Sequence, residues 1–211
     1  MQKYLEDIKN IRNKTLWGYD LNLIAVVSIS TLVLVLDRYY PIHVVFPLSN
    51  LIYYIFIPLA AGFLLFRDKP WDYGIRIGRW KLAAILTAIG LGVLSLIIYA
   101  ASKMPEFYAY YHESHIDWPE WILEWTLYMF AWEFLYRGYM LFGLEKSIGK
   151  SAIFVQAIPF VLLHFGCVFW ETLACIPLGF ILGYVAYRTR SFLPCFIMHI
   201  GIHILMAALT Y

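Results

Sequence analysis

One glutamate, one arginine and three histidines draw attention first, because each falls inside an apolar run of helical length. Glu133 and Arg137 belong to Trp132-Glu133-Phe134-Leu135-Tyr136-Arg137-Gly138. His164 closes Phe160-Val161-Leu162-Leu163-His164, and His199 and His203 bracket Ile200-Gly201-Ile202. Ionisable side chains are costly in hydrocarbon and mark a functional site by default. A carboxylate and an imidazole facing one water pocket can act on that water as general base and acid. Imidazole N–H groups can donate to a developing oxyanion. Arg137, one turn from Glu133, shares its helix face and can hold the carboxylate in place. Together these parts make a hydrolase of peptide bonds working at membrane depth.

The same residues allow other chemistry. Glu133, His164, His199 and His203 form a ligand set for a divalent metal such as zinc. The usual His-Glu-x-x-His helix of metalloproteases is absent, and the acid–base scheme needs no metal, so the cofactor stays open. A Glu/His proton relay in a coupled transporter is another reading; it needs a second polar pathway, and the first three apolar runs are nearly free of charge. Taken singly, His164 could be an interhelical hydrogen-bond partner, Arg137 a snorkelling side chain and His203 a packed structural residue. Those separate readings leave unexplained why acid, base and guanidinium concentrate in the same runs.

Composition says what must position these groups. Of 211 residues, 62% are hydrophobic and 14% charged, against about half and a quarter in soluble domains. Aromatic residues make up 19%, as expected of side chains at the lipid headgroup level. The chain therefore reads as an all-α membrane protein, a polytopic bundle of about seven transmembrane helices, treated as a single domain over 1–211. Residues 1–20 read as a cytoplasmic interfacial helix rather than a cleaved signal peptide, with Tyr4, Leu5, Ile8 and Ile11 on one side. Cys167, Cys175 and Cys195 have no C-x-x-C spacing and read as small fillers of helix interfaces.

The spans are expected at about 21–36, 44–66, 82–101, 119–144, 151–167, 172–187 and 192–211, with 102–120 as the longest loop. All of the 16 Lys and Arg except Arg38, Lys103 and Arg137 then fall in the N-terminal segment or after the second, fourth and sixth spans. By the positive-inside rule the N-terminus is cytoplasmic and the C-terminus outside; a bacterial inner membrane is the expected location. This topology brings Glu133, Arg137, His164, His199 and His203 to similar depth. Gly179 and Gly183 form a small-xxx-small pair that lets helices approach closely. Glu171, at the start of the sixth span, either complements that helix's N-terminus or reaches the outer mouth of the pocket.

Over 121–211 the sequence resembles the CAAX prenyl protease and bacteriocin-processing family of intramembrane proteases, also called Abi. The family's motifs are Glu-Glu-x-x-x-Arg, Phe-x-x-x-His, and His-x-x-x-Asn or a small or acidic residue. They are matched here by Trp132 to Arg137, Phe160 to His164 and His199 to His203. The resemblance implies an intramembrane endopeptidase in which Glu133 and His164 activate water and His199 stabilises the oxyanion. It implies peptide or prenylated-protein substrates and a lipid environment, with no nucleic-acid partner. Two positions depart from the pattern: Trp132 stands where the first Glu is expected, and His203 where Asn is usual. The two departures support an alternative, a catalytically inactive relative acting in bacteriocin immunity or partner binding.

Overall fold

Asp20 starts the first membrane-length helix. Its Oδ1 accepts the backbone N–H groups of Asn22 at 2.9 Å and Leu23 at 3.0 Å, as a capping aspartate does. This helix, α1, is Leu21–Tyr39. The computed structural model describes residues 15, 16, 18–42 and 47–211. Most of the expected interfacial helix over 1–20 lies outside the described residues. Its described end is not helical: Thr15–Leu16 (β1) and Tyr19–Asp20 (β2) pair antiparallel, with Thr15 opposite Asp20. Gly18, at φ +84°, supplies the left-handed turn between them.

The other helices are α2 (Leu48–Phe66), α3 (Trp80–Ala101), α4 (Pro105–Tyr111), α5 (118–148), α6 (152–162), α7 (Phe169–Thr189) and α8 (Leu193–Thr210). α5 is continuous through Trp118–Glu133, a π-helical turn at Phe134–Met140, and Leu141–Ile148. Its middle is the centre of the molecule: every residue from 131 to 144 is buried. At the opposite extreme, α3 buries no residue fully and packs along α8, as fits an apolar helix facing lipid.

Among the described residues five helices are long and apolar enough to cross a membrane: α1, α2, α3, α7 and α8. The expected fourth and fifth spans differ from these. α5 is long but interrupted by Glu133 and Arg137. The expected span 151–167 is a broken helix, Ala152–Val155 then Ala157–Leu162. At 1.5 Å per residue its eleven positions cover only about 16 Å. The chain turns back at 163–168, where Gly166 sits at φ +106°. The expected loop 102–120 holds α4, whose Pro105 occupies the first turn and whose Glu106 suits the helix N-terminus.

Hydrogen bonds define the two ends of the bundle. At one end the segments after α2, α5 and α7 meet: Arg79 N–H donates to Thr189 O at 2.8 Å, Arg76 Nε to Arg190 O at 2.8 Å, and Arg190 pairs with Glu145 at 2.7 Å. Lys146 pairs with Asp68 beside them. At the other end His112 Nδ1 lies 2.7 Å from Thr210 O, and Tyr111 donates to Glu171 Oε2 at 2.8 Å. α4 is thereby tied to the end of α8 and the start of α7.

α6 and α7 pack as the glycine pair predicts. A Cβ at Gly179 would lie 3.0 Å from Ala157 Cβ, and one at Gly183 would lie 2.5 Å from Gln156 Nε2. The Gln156 amide uses the space by donating to Ile153 O and Gly179 O, both at 2.9 Å. Gly183→Val is expected to separate the two helices and cost about 1–3 kcal/mol as an overpacked core does. A thermal melt in detergent at least as high as wild type would contradict this account of the interface.

Candidate active site

The π-helical turn begins at the residue after Glu133. Such turns are frequent at functional sites. Glu133 and Arg137 are both fully buried, and Arg137 Nη1 donates to Glu133 Oε1 at 3.1 Å. From α8, His199 brings Nδ1 to 2.7 Å of the same oxygen. The second carboxylate oxygen, Oε2, is buried without a protein partner, as are Arg137 Nε and Nη2, Tyr136 Oη and Trp132 Nε1. Buried polar atoms of this kind call for a water or a ligand.

Phe160, the first residue of the second motif, connects the parts. The Arg137 guanidinium carbon lies 3.9 Å from the Phe160 ring centre, a cation–π contact. The same ring is 4.6 Å from the His164 ring and 6.2 Å from the His199 ring. His164 stands at the end of α6, and its Nδ1 is 2.7 Å from Phe160 O. A carbonyl only accepts, so the neutral ring carries its proton on Nδ1 and keeps the Nε2 lone pair.

Both imidazoles face a cavity of about 770 Å³. Its walls come from α3, α4, α5, α7, α8 and the turn after α6, and are mostly apolar. His164, His199 and His203 line it, and so does Trp132. Glu133 and Arg137 are not on its wall. The carboxylate lies behind His199, which it meets at 2.7 Å, and that imidazole stands between it and the cavity. The reason is the helix screw. Adjacent positions are about 100° apart, so Trp132 turns to the cavity and Glu133 to the interior of the bundle.

His203 shares the cavity face of α8 with His199 but packs differently. Its ring lies parallel to the Trp121 ring at 5.2 Å and tilted against Trp125 at 4.2 Å. The ligand set Glu133, His164, His199 and His203 does not come together: among the described residues no three His, Cys, Asp or Glu side chains are grouped to hold a metal ion. His199 Nδ1 and Glu133 Oε1 are already bonded to each other.

The carboxylate on the cavity wall is Glu171, which also lies in the first turn of α7, so both placements read for it hold. Its neighbours there are Tyr110, Tyr111 and Cys167 from α4 and the turn. The signal was in the spacing: Glu171, Ala174, Cys175 and Leu178 fall at i, i+3, i+4 and i+7, one helix face, and all four line the cavity. Cys195, by contrast, is the expected interface filler, fully buried with its thiol on Leu182 O at 3.1 Å.

Residues 114–205 match the family model described as Type II CAAX prenyl endopeptidase Rce1-like. The matched stretch contains all three motifs, and the chain resembles this class of intramembrane protease. No curated protein and no solved structure matches the chain.

Removing the guanidinium alone leaves the buried carboxylate with His199 as its remaining partner, and breaking such a pair typically costs about 3–5 kcal/mol. Arg137→Met is therefore expected to unfold well below wild type in detergent, and Glu133→Gln/Arg137→Met to recover much of the loss. Equal melting temperatures for the single and double variants would show that the two side chains are not coupled.

Proposed function

We propose that the chain is an intramembrane endopeptidase in which His164 and His199 act on the substrate and Glu133 positions His199. The observation that carries this is the Glu133–His199 bond behind a cavity that both imidazoles line. Water would attack the scissile carbonyl carbon while His164 Nε2 takes its proton. His199, held through Nδ1 and balanced by the carboxylate as an imidazolium, would donate its Nε2 proton's hydrogen bond to the oxyanion. Collapse of the tetrahedral intermediate breaks the C–N bond, and His164 returns the proton to the leaving amine. No step runs through a metal.

The substrate class is an apolar peptide, prenylated or not, reaching the cavity from the bilayer. The distribution of Lys and Arg supports a cytoplasmic N-terminus, and a bacterial inner membrane is the location proposed. The cavity, reaching α4 and the turn 163–168, would then serve the outer side. In a cysteine-free background, Cys at Lys150 is expected to react with an impermeant thiol reagent only from the cytoplasmic side, and Cys at Glu113 only from outside. The opposite labelling would invert the topology.

A second reading, a non-catalytic partner-binding or immunity protein, is favoured by one observation: Trp132 lines the cavity at the position of the motif's first carboxylate. The two readings separate on fluorogenic peptides, including prenylated CAAX peptides, with purified protein. In the peptidase reading His164→Ala lowers kcat about 10²–10⁴-fold and His199→Ala about 10²–10³-fold. Glu133→Gln lowers kcat with KM unchanged, and Glu133→Asp recovers part of it. A silent wild type with activity gained in Trp132→Glu would instead identify the non-catalytic form.

A further inference from the structure

We propose that Glu171 is the anchor for a cationic side chain, lysine or arginine, at the end of an apolar peptide segment lying in the cavity. Of the side chains lining the cavity, only that of Glu171 is a carboxylate, and neither Lys nor Arg is among them. Arg137 is withheld by the Phe160 ring, over which its guanidinium lies. A carboxylate in a bilayer-spanning helix is costly and persists where it serves a site. Its hydrogen-bond partners at that end of the bundle are neutral: the Tyr111 hydroxyl at 2.8 Å and the Cys167 thiol.

The position of Glu171 fixes the shape of the occupant. It is the third residue of α7. The cavity face continues through Ala174, Cys175, Leu178 and Ile181, a wall about 15 Å deep at 1.5 Å per residue. One negative charge thus stands at the end of an apolar wall. Around it are the rings of Tyr110, Tyr111 and Trp170, whose faces favour a cation. A lysine or arginine placed there keeps its stem against apolar surface and its head near the membrane boundary. A free C-terminal carboxylate at the same spot would meet like charge.

The inference rests on the peptidase reading only in calling the occupant a substrate. Its test is therefore binding, on the full chain carrying His164→Ala so that no peptide is consumed. Three fluorescein-labelled apolar peptides, identical except for a single Lys, Gln or Glu at the end of the apolar run, are titrated in detergent and followed by anisotropy. The Lys peptide is expected to bind roughly tenfold tighter than the Gln peptide, the gain of a charge-assisted bond, and the Glu peptide weaker still. Glu171→Gln keeps an acceptor for Tyr111 and is expected to bring the three affinities together; Glu171→Lys is expected to reverse their order. Equal affinities in the Glu171 protein, an order unchanged by Glu171→Gln, or no binding by any peptide overturns the proposal. Charge-selective binding without cleavage by the otherwise unaltered chain overturns the peptidase reading and leaves the anchor in place.

Discussion

The Glu133 carboxylate, fully buried, has to be compensated from within the bundle, and the arrangement of three helices follows from that requirement. Arg137 answers from one turn along the same helix. His199 answers from α8, and Phe160 of α6 covers the guanidinium. A buried ion pair is weak evidence of stability, since desolvation offsets most of its attraction. What it does supply is register. Sliding α8 by one residue would turn His199 away by about 100° and leave a bonded carboxylate oxygen short of a partner. The pair therefore fixes the height at which His199 presents its free nitrogen to the cavity.

Around that layer the two ends of the bundle are built differently. At the Lys- and Arg-rich end, carbonyls of α7 and the turn after it accept from Arg76 and Arg79, and ion pairs join α5 to its neighbours. The other end is closed by aromatic rings and by the short helix α4, held through hydrogen bonds that Tyr111 donates to Glu171 and His112 to Thr210 O. Between the ends, α6 and α7 approach closely at glycines, and the Gln156 amide bonds across to Gly179 O. The cavity reaches the aromatic end, where the walls are apolar and the connections fewest.

Much of this was legible in the sequence. The helical stretches could be placed because apolar runs are separated by charged and glycine-containing turns, and Glu133, Arg137 and His199 could be brought together because i,i+4 spacing and depth leave few other partners. The hidden parts are those where local pattern and tertiary role diverge. The run 151–167 has the composition of a span, yet it breaks at Gln156 and turns at Gly166, since the buried amide bonds α7 instead of continuing an apolar face. Glu171 looks like an ordinary first-turn acid, and only the neighbouring α4, read as loop, gives it Tyr111 and a cavity wall. His203 matches His199 in spacing, but the two indoles of α5 that hold it, Trp125 and Trp121, lie seven and eleven residues before the motif begins at Trp132.

Trp132 brings these threads together. Position 132 faces the cavity and 133 faces away from it, so a carboxylate at the two positions has different neighbours: the first would stand on the cavity wall, and the second bonds Arg137 and His199. With an indole at 132, set edge-on to His164 at 6.0 Å and packed among Tyr54, Tyr128 and Tyr136, the wall near the imidazoles is apolar. That dry wall strengthens the bonds His164 and His199 can make, because electrostatic interactions gain where water is excluded. It also leaves the negative charge of the cavity at its far end, on Glu171. In the proposed reading the carboxylate missing from position 132 leaves the chemistry to imidazoles, and recognition falls to Glu171, the acid on the cavity wall.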